Sequence, residues 1–342
     1  MSALNWQALV TEALRRRKAE RMTQKEHAAL ADVSIPTIVA FDRGERTLSL
    51  SKAFDILRIV GLIEEPVAET AQDIFVRESF ERWCALTATL PEASPGRFPH
   101  GWYRIDYALG GTLKAVKAGQ LARILTEATR PSTGWPMFAV LDRDALAPKD
   151  SGGVLECWIN PPSHAPFNGP AYRDFWRADP AGRMFLIRGY REDSQDTFPP
   201  GAIFDNTLPI WLLGEALLHA DQLARVLGAH DNAIEVRLRI LFTGLTGRVP
   251  RAWSKPMGQD LLLGNRASRT DEALLEVSVP AADIEPGLAR HVLALAAPLY
   301  ERFGVAGLSE QAIDAELTVM RRVSESAAAP ARSPPAPPRP GR

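Results

Sequence analysis

Over the first 62 residues, apolar positions come in short groups separated by tight turns, the spacing of several small helices. Thr23-Gln24-Lys25-Glu26 has the form of a capping box, in which the Thr hydroxyl takes the amide of Glu26 and the Glu carboxylate reaches back. The helix it opens should run to about Leu30, with Ala28 small where two helices approach closely. Ala31-Asp32-Val33 predicts a turn, because Asp is one of the few non-glycine residues that tolerates a left-handed backbone. Ser34 caps the next helix, and Pro36 falls in its first turn, where the missing N–H has no intrahelical partner to lose. Ile38 and Phe41 share the inner face of that helix, and Gly44 stops it. Leu50, Phe54, Leu57 and Leu62 are expected to form the inner face of the closing helices.

A loop centred on Glu64-Glu65-Pro66 follows. From Thr70 to Leu90 the residues Ile74, Phe75, Phe80, Trp83, Leu86 and Leu90 recur at helical spacing, which suits a connector or a dimer seam. Turn-rich sequence leads to a helix predicted over Leu113–Ala128. Beyond Pro131 the texture changes to short β-prone runs at Met137–Leu141, Val154–Ile159, Met184–Tyr190, Ile234–Phe242 and Leu274–Val279. Helical stretches lie between and after them, at Ile210–Leu227, Leu288–Phe303 and Glu310–Arg322. Strands mixed with helices, without regular βαβ alternation, predict an α+β domain. Ser324–Arg342 is rich in Ala, Pro, Ser and Arg and is expected to be disordered.

Composition narrows the classes. Of 342 residues 46% are apolar and 24% charged, enough apolar material to build a sizeable core. The net charge is −1, so the chain as a whole offers no basic field. Its distribution is uneven: residues 1–62 hold ten Lys/Arg against seven Asp/Glu, and the remainder hold 30 against 34. That sign suits a chain in which only the first piece meets phosphates. The two cysteines, Cys84 and Cys157, are far apart, which argues against a disulfide framework or a zinc knuckle and fits a reducing cytoplasm. Without a leader pattern or a run of 18 apolar residues, neither export nor membrane spanning is expected, and the chain is assigned to the cytoplasm.

Met22-Thr-Gln-Lys-Glu-His-Ala, then Val33-Ser34, then Phe41-Asp-Arg-Gly44 and the Leu50–Leu62 helix resemble the phage Cro/repressor (XRE) family of helix-turn-helix regulators. The resemblance spans about 45 contiguous residues and departs at Asp32, where a turn glycine is usual, and at His27, where leucine is usual. It implies that the helix Ser34–Arg43 enters the major groove of double-stranded DNA. The family's base-reading positions fall on Ile35, Pro36 and Ala40, with Thr37 close by, and its phosphate-touching positions on Gln24, Ser34, Arg43 and Arg46. Ile35, Pro36 and Ala40 carry no side-chain donor or acceptor, so base readout would rest on thymine methyl groups, on Thr37 and on DNA shape. The cluster Arg15-Arg16-Arg17-Lys18 either adds charge at the DNA or is a solvated helix face. A helix-turn-helix that only mediates dimerisation is the plainer alternative.

The resulting expectation is a multi-domain chain: an all-α, lambda-repressor-like helix-turn-helix domain over 1–66, a helical connector over 67–130, an α+β sensor or partner-binding domain over 131–323, and a disordered tail over 324–342. In the third segment Glu215 and His219 share a helix face, half a metal site, and a structural role outweighs a ligand role there. Both cysteines are expected to be buried packing residues. Gly110-Gly111 and Gly152-Gly153 read as turns, and Asp142, Asp144 and Asp150 as solvated loop charge. Alternation over Arg183–Tyr190 places Arg188 and Tyr190 on one face, where they either grip an anion or stack a nucleobase, or else lie on a sheet edge paired with Glu192 and Asp193. Trp135, Trp158, Trp176, Trp211 and Trp253 either line a small-molecule pocket or fill the core. No cofactor, metal site or catalytic set is predicted.

The leading functional expectation is a homodimeric transcriptional regulator, not an enzyme, whose larger domain senses a small-molecule or protein effector. The alternative is a defence or toxin–antitoxin component whose larger domain binds protein or RNA.

Overall fold

The structure, a computed structural model, describes residues 5–63, 69–129, 135–141, 143, 145–162, 165, 168–194, 196–229, 233–252, 266–305 and 307–328. The Glu64-Glu65-Pro66 loop, Asp142, Asp144, Trp253 and residues 329–342 lie outside them. The chain divides into two compact units, Met1–Thr70 and Ala71–Arg342.

The first unit is helical: α1 (Trp6–Ala19), α2 (Gln24–Leu30), α3 (Ile35–Asp42) and α4 (Leu50–Ile59). Each helix starts on a side-chain cap. Asn5, Thr23, Ser34 and Ser49 accept from the amides of Ala8, Glu26, Thr37 and Lys52, satisfying donors that a helix start otherwise leaves open. At α2 the capping box is complete, with the Glu26 carboxylate taking the Thr23 amide at 2.8 Å. Asp32, at φ +49°, turns the chain between α2 and α3. Gly44, at φ +72°, ends α3, and its carbonyl accepts from the Trp6 indole at 3.0 Å.

The core of this unit joins Val10 and Ala13 of α1, Ala28 of α2, Ile38 and Phe41 of α3, and Ile56 and Leu57 of α4. Leu50 and Phe54, expected inside, face solvent. Ser49 caps α4, so Leu50 is its first residue, and the inward stripe at helical spacing is Ala53, Ile56, Leu57 and Val60.

The second unit is built on a seven-stranded sheet in which every neighbouring pair is antiparallel. Its strands are β1 (Trp102–Gly110), β2 (Lys149–Ser151), β3 (Val154–Ile159), β4 (Asp174–Asp179), β5 (Arg183–Gly189), β7 (Glu235–Phe242) and β9 (Ala273–Pro280), ordered β2-β3-β4-β5-β1-β7-β9. The short strands β6 (Ile203–Asp205) and β8 (Val249–Arg251) pair in parallel outside it. Gly152 and Gly153, both with positive φ, make the two-residue turn between β2 and β3, a conformation that favours glycine at both positions.

The helices are α5 (Ala71–Ala88), α6 (Ala118–Ala128), α7 (Leu208–Leu227), α8 (Ala281–Ile284), α9 (Leu288–Glu301) and α10 (Glu310–Ala328). One face of the sheet carries Phe175, Phe185 and Ile187, and α5 covers it with Phe75, Val76 and Trp83. The other carries Tyr103, Ile105, Tyr107, Leu238 and Ile240, covered by α6, α7, α9 and α10. A sheet buried on both faces explains why β5 reads as an unbroken apolar run from Met184 to Ile187.

From Ala71 onward the expected connector over 67–130 is therefore part of this unit. Its helix α5 buries an apolar face on the sheet, and β1 is an inner strand between β5 and β7. The run Met137–Leu141 is buried but not a strand: Phe138 adopts φ +52°, which breaks the extended backbone. Helix α6 starts at Ala118, and Leu113 instead bridges to Gly228. The final helix runs through Ala328, past the predicted start of the disordered tail at Ser324, because Ala327 and Ala328 favour helix.

Candidate functional site

In the first unit, the surface around the start of α3 gathers most of the residues singled out from the sequence. Ser34, Ile35 and Pro36 are exposed at its N-terminal turn, Thr37 and Ala40 are half-buried, and Arg43 and Arg46 are exposed beyond its end. Ile35 is 46% exposed, unusual for a residue whose neighbour Ile38 is fully buried. The Ser34 and Thr37 hydroxyls bond each other at 2.8 Å. Arg43 lies 3.9 Å from Glu45 with 71% of its side chain exposed.

Asp42 holds this surface together. Its carboxylate takes both terminal nitrogens of Arg17 (2.9 and 2.7 Å) and the Gln24 amide (2.6 Å), joining α1, α2 and α3 at one point. Gln24, expected to touch a phosphate, is engaged within the unit instead. The basic cluster Arg15–Lys18 is likewise split: Arg17 is buried against Asp42, while Arg15 and Arg16 both bond Glu12. The buried His27 donates from its Nε2 to the Ile56 carbonyl (2.9 Å), and burial lowers its pKa, which favours the neutral ring.

In the second unit, Arg188 lies on β5, between β4 and β1 rather than at a sheet edge. It is buried, and its guanidinium donates to Asp174 at 2.5 and 2.7 Å and to the carbonyls of Trp135 and Pro136. The expected anion grip is thus already filled by a carboxylate on the neighbouring strand. Of the two acids expected as partners on a sheet edge, Asp193 pairs instead with Arg248, whose nitrogens also take the carbonyls of Ile203, His100 and Gly244.

These pairs border a pocket of about 60 Å³, lined by Tyr103, Trp135, Tyr190, Phe204 and Phe242, with Arg188 and Glu192 at its wall. The Glu192 carboxylate is buried and accepts the Asp205 amide at 3.1 Å. Burial, with the nearby Asp205 carboxylate, pushes its pKa up to about 7 against the pull of Arg248. Asp205 in turn caps α7, taking the amides of Thr207 and Leu208. Of the tryptophans, Trp135 reaches the pocket, while Trp176 and Trp211 are core.

Other candidate chemistry resolves into structure. Asp106, fully buried on β1, receives Arg104 (2.9 Å), Arg239 (2.7 Å) and Gln72 (3.0 Å), an ion cluster beneath α5. His219 is buried with its Nδ1 on the Tyr107 hydroxyl at 2.7 Å and its ring stacked on Phe138. Burial drives its pKa down to about 4, so it is neutral at pH 7. Among the described residues no group of His, Cys, Asp and Glu is placed to hold a metal ion. Cys157 is buried, with its Sγ on the Leu146 carbonyl, whereas Cys84, expected inside, is exposed on the outer side of α5.

Sequence reasoning missed Glu192 as a pocket residue, and Asp174 and Asp106 as partners. Apart from Arg104, two residues from Asp106 on the same strand, their partners lie on other elements of the fold, which no local spacing reports.

Fold and site together define a two-unit chain, a small helical unit with an exposed helix start and a larger α+β unit with an aromatic pocket. No protein-family model, curated protein or solved structure matches it. Among the described residues no helix is long and apolar enough to cross a membrane.

Proposed function

We propose that residues 5–63 are a helix-turn-helix module that binds double-stranded DNA through the start of α3. The chain is then a sequence-specific transcriptional regulator whose larger unit senses a small molecule or a protein partner. The observation that carries this reading is the exposed, rigidly held first turn of α3. Ile35 and Pro36 stand out from a helix whose next turn is core, and the shared Asp42 carboxylate ties that helix to α1 and α2.

The chemistry of that turn suggests how bases are read. Ile35 and Pro36 can pack on thymine methyl groups, while the Ser34 and Thr37 hydroxyls, now bonded to each other, can reorient toward phosphate or base edges. Arg43 and Arg46 supply exposed charge for the backbone. Recognition of a palindrome follows if two copies bind as a homodimer.

Selection of bound duplexes from a random library, followed by gel shift, tests the reading. The expected result is a recurrent palindrome, with Arg43→Ala and Arg46→Ala each lowering the salt slope of binding by about 1. Absence of duplex binding, or binding indifferent to sequence, would count against it and favour an adaptor that meets protein or RNA.

A further inference from the structure

We propose that the pocket at the end of β5 is a site for a small organic cation, an alkylammonium or guanidinium group held by the Glu192 carboxylate in an aromatic-lined pocket. The proposal rests on the reading of Ala71–Arg342 as a ligand-sensing unit and names the chemistry of the ligand.

Three observations carry it. The first is size. A pocket of about 60 Å³ holds about four to six non-hydrogen atoms, at roughly 10–15 Å³ for each water-sized group. The second is the lining. Tyr103, Trp135, Tyr190, Phe204 and Phe242 present aromatic surface, and such faces attract cations through their quadrupoles. The same chemistry is already in use beside the pocket, where the Arg248 guanidinium lies 4.3 Å from the centre of the Tyr190 ring.

The third observation is charge. Three arginines border the pocket: Arg188 is neutralised by Asp174 and Arg248 by Asp193, both inside the protein, and Arg191 is an exposed lining residue. Arg188 also gives nitrogens to two carbonyls, so an anion entering here would have to displace bonds already made. Glu192 is the buried carboxylate that remains. The groups facing it are Asp205 from β6, Arg248 from the turn before β8 and Tyr190, with Arg191 and Asp193 its chain neighbours. Of these, Arg248 directs its Nη1 and Nη2 to Asp193, and the Tyr190 hydroxyl donates to the Thr243 carbonyl. A buried carboxylate in an aromatic-lined pocket, with the hydrogen bonds of Arg248 directed to Asp193 and to backbone carbonyls, is suited to a ligand that brings positive charge.

Calorimetric titration of the full chain with tetramethylammonium, at constant ionic strength, tests the proposal. Uncharged tert-butanol serves as the neutral analogue and acetate as the anion. The expected result is one site per chain that binds tetramethylammonium at least tenfold more tightly than tert-butanol and leaves acetate unbound. Affinity should rise about tenfold between pH 6 and pH 8, as Glu192 loses its proton.

Glu192→Gln should abolish the preference for the charged probe. Leu212→Phe, which fills the pocket from α7 and leaves Glu192 in place, should weaken binding at least tenfold even if the first variant folds poorly. Equal affinity for the charged and neutral probes, binding of acetate, retention of the preference in Glu192→Gln, or no binding of tetramethylammonium would each overturn the proposal. Repeating the DNA gel shift with the cation present separates this site from its role. Cation binding that leaves DNA affinity unchanged supports the site and contradicts its use as a sensor.

Discussion

The two units keep their polar groups in different places. In Met1–Thr70 the decisive polar residues sit at helix starts, where Asn5, Thr23, Ser34 and Ser49 each cap a helix within three residues of themselves. In Ala71–Arg342 charged pairs lie inside: Asp106 with Arg104 and Arg239, Asp174 with Arg188, and Asp193 with Arg248. A cap replaces a water molecule at an exposed helix end and can be lost at modest cost. A buried ion pair has already given up its hydration, so losing one partner strands the other in a medium that cannot solvate it. Outside the buried Arg17–Asp42 pair, the small unit should therefore tolerate polar substitution better than the large one.

The largest expected effect follows from Asp106. Asp106→Ala leaves Arg104 without its carboxylate and Arg239 with Asp73 alone beneath α5, and should destabilise the second unit by about 3–5 kcal/mol. Denaturant unfolding of the full chain reads this as a shifted transition for that unit alone. A loss below about 1 kcal/mol would mean that water reaches the cluster and that the contrast between the units is overstated.

An intermediate effect follows from His219. Its folded pKa, down to about 4, lies below the ordinary histidine value of 6.5, so the unfolded chain binds the extra proton first. Stability is then fully present above about pH 6.5 and falls as the pH drops toward 4, by at most about 3 kcal/mol. Glu192 acts in the opposite sense. Its pKa is raised to about 7, so its contribution is present below about pH 4.5 and is lost as the pH rises through 7. Chemical denaturation across pH 4–8 should show His219→Gln flattening the acid limb and Glu192→Gln flattening the neutral limb. A His219→Gln profile that keeps the full acid slope would show that this ring is hydrated in solution.

The smallest effect is at a cap. Thr23→Ala should cost about 1 kcal/mol, and hydrogen exchange should place the loss in α2 and α3 while the sheet amides stay protected. Spread of the effect into the second unit would break the comparison, because a cap acts on its own helix and on what packs against it.

The same contrast explains what could be read from the chain. The Thr23 capping box, the Asp32 turn, Pro36 in a first helical turn and the Gly44 stop all act over a few residues, and the structure has each where the spacing puts it. Strand β3 and helix α7 were legible for a similar reason, being apolar runs with clear punctuation. Strand β1 was not. Arg104 and Asp106 interrupt its pattern and look like a solvated turn until Arg239, 133 residues away, is seen opposite Asp106. The pocket escaped for the same reason, since Tyr103, Glu192, Phe204 and Phe242 meet only after the sheet has formed. Leu50 and Phe54 show the reverse error, apolar residues whose register on α4 turns them outward.

The central proposal is that the first turn of α3 reads DNA, and fluorescence anisotropy with wild type and Ile35→Ala measures it most directly. Both proteins are titrated with the selected palindrome, with a scrambled duplex, and with the palindrome carrying uracil in place of thymine. The account predicts that wild type prefers the palindrome to the scrambled duplex by at least about 10³-fold. Uracil substitution or Ile35→Ala should each lower palindrome affinity by about 1 kcal/mol or more, the two together no more than either alone, with the scrambled duplex unaffected. Equal affinity for palindrome and scrambled duplex, or an Ile35→Ala protein that discriminates as well as wild type, would contradict it.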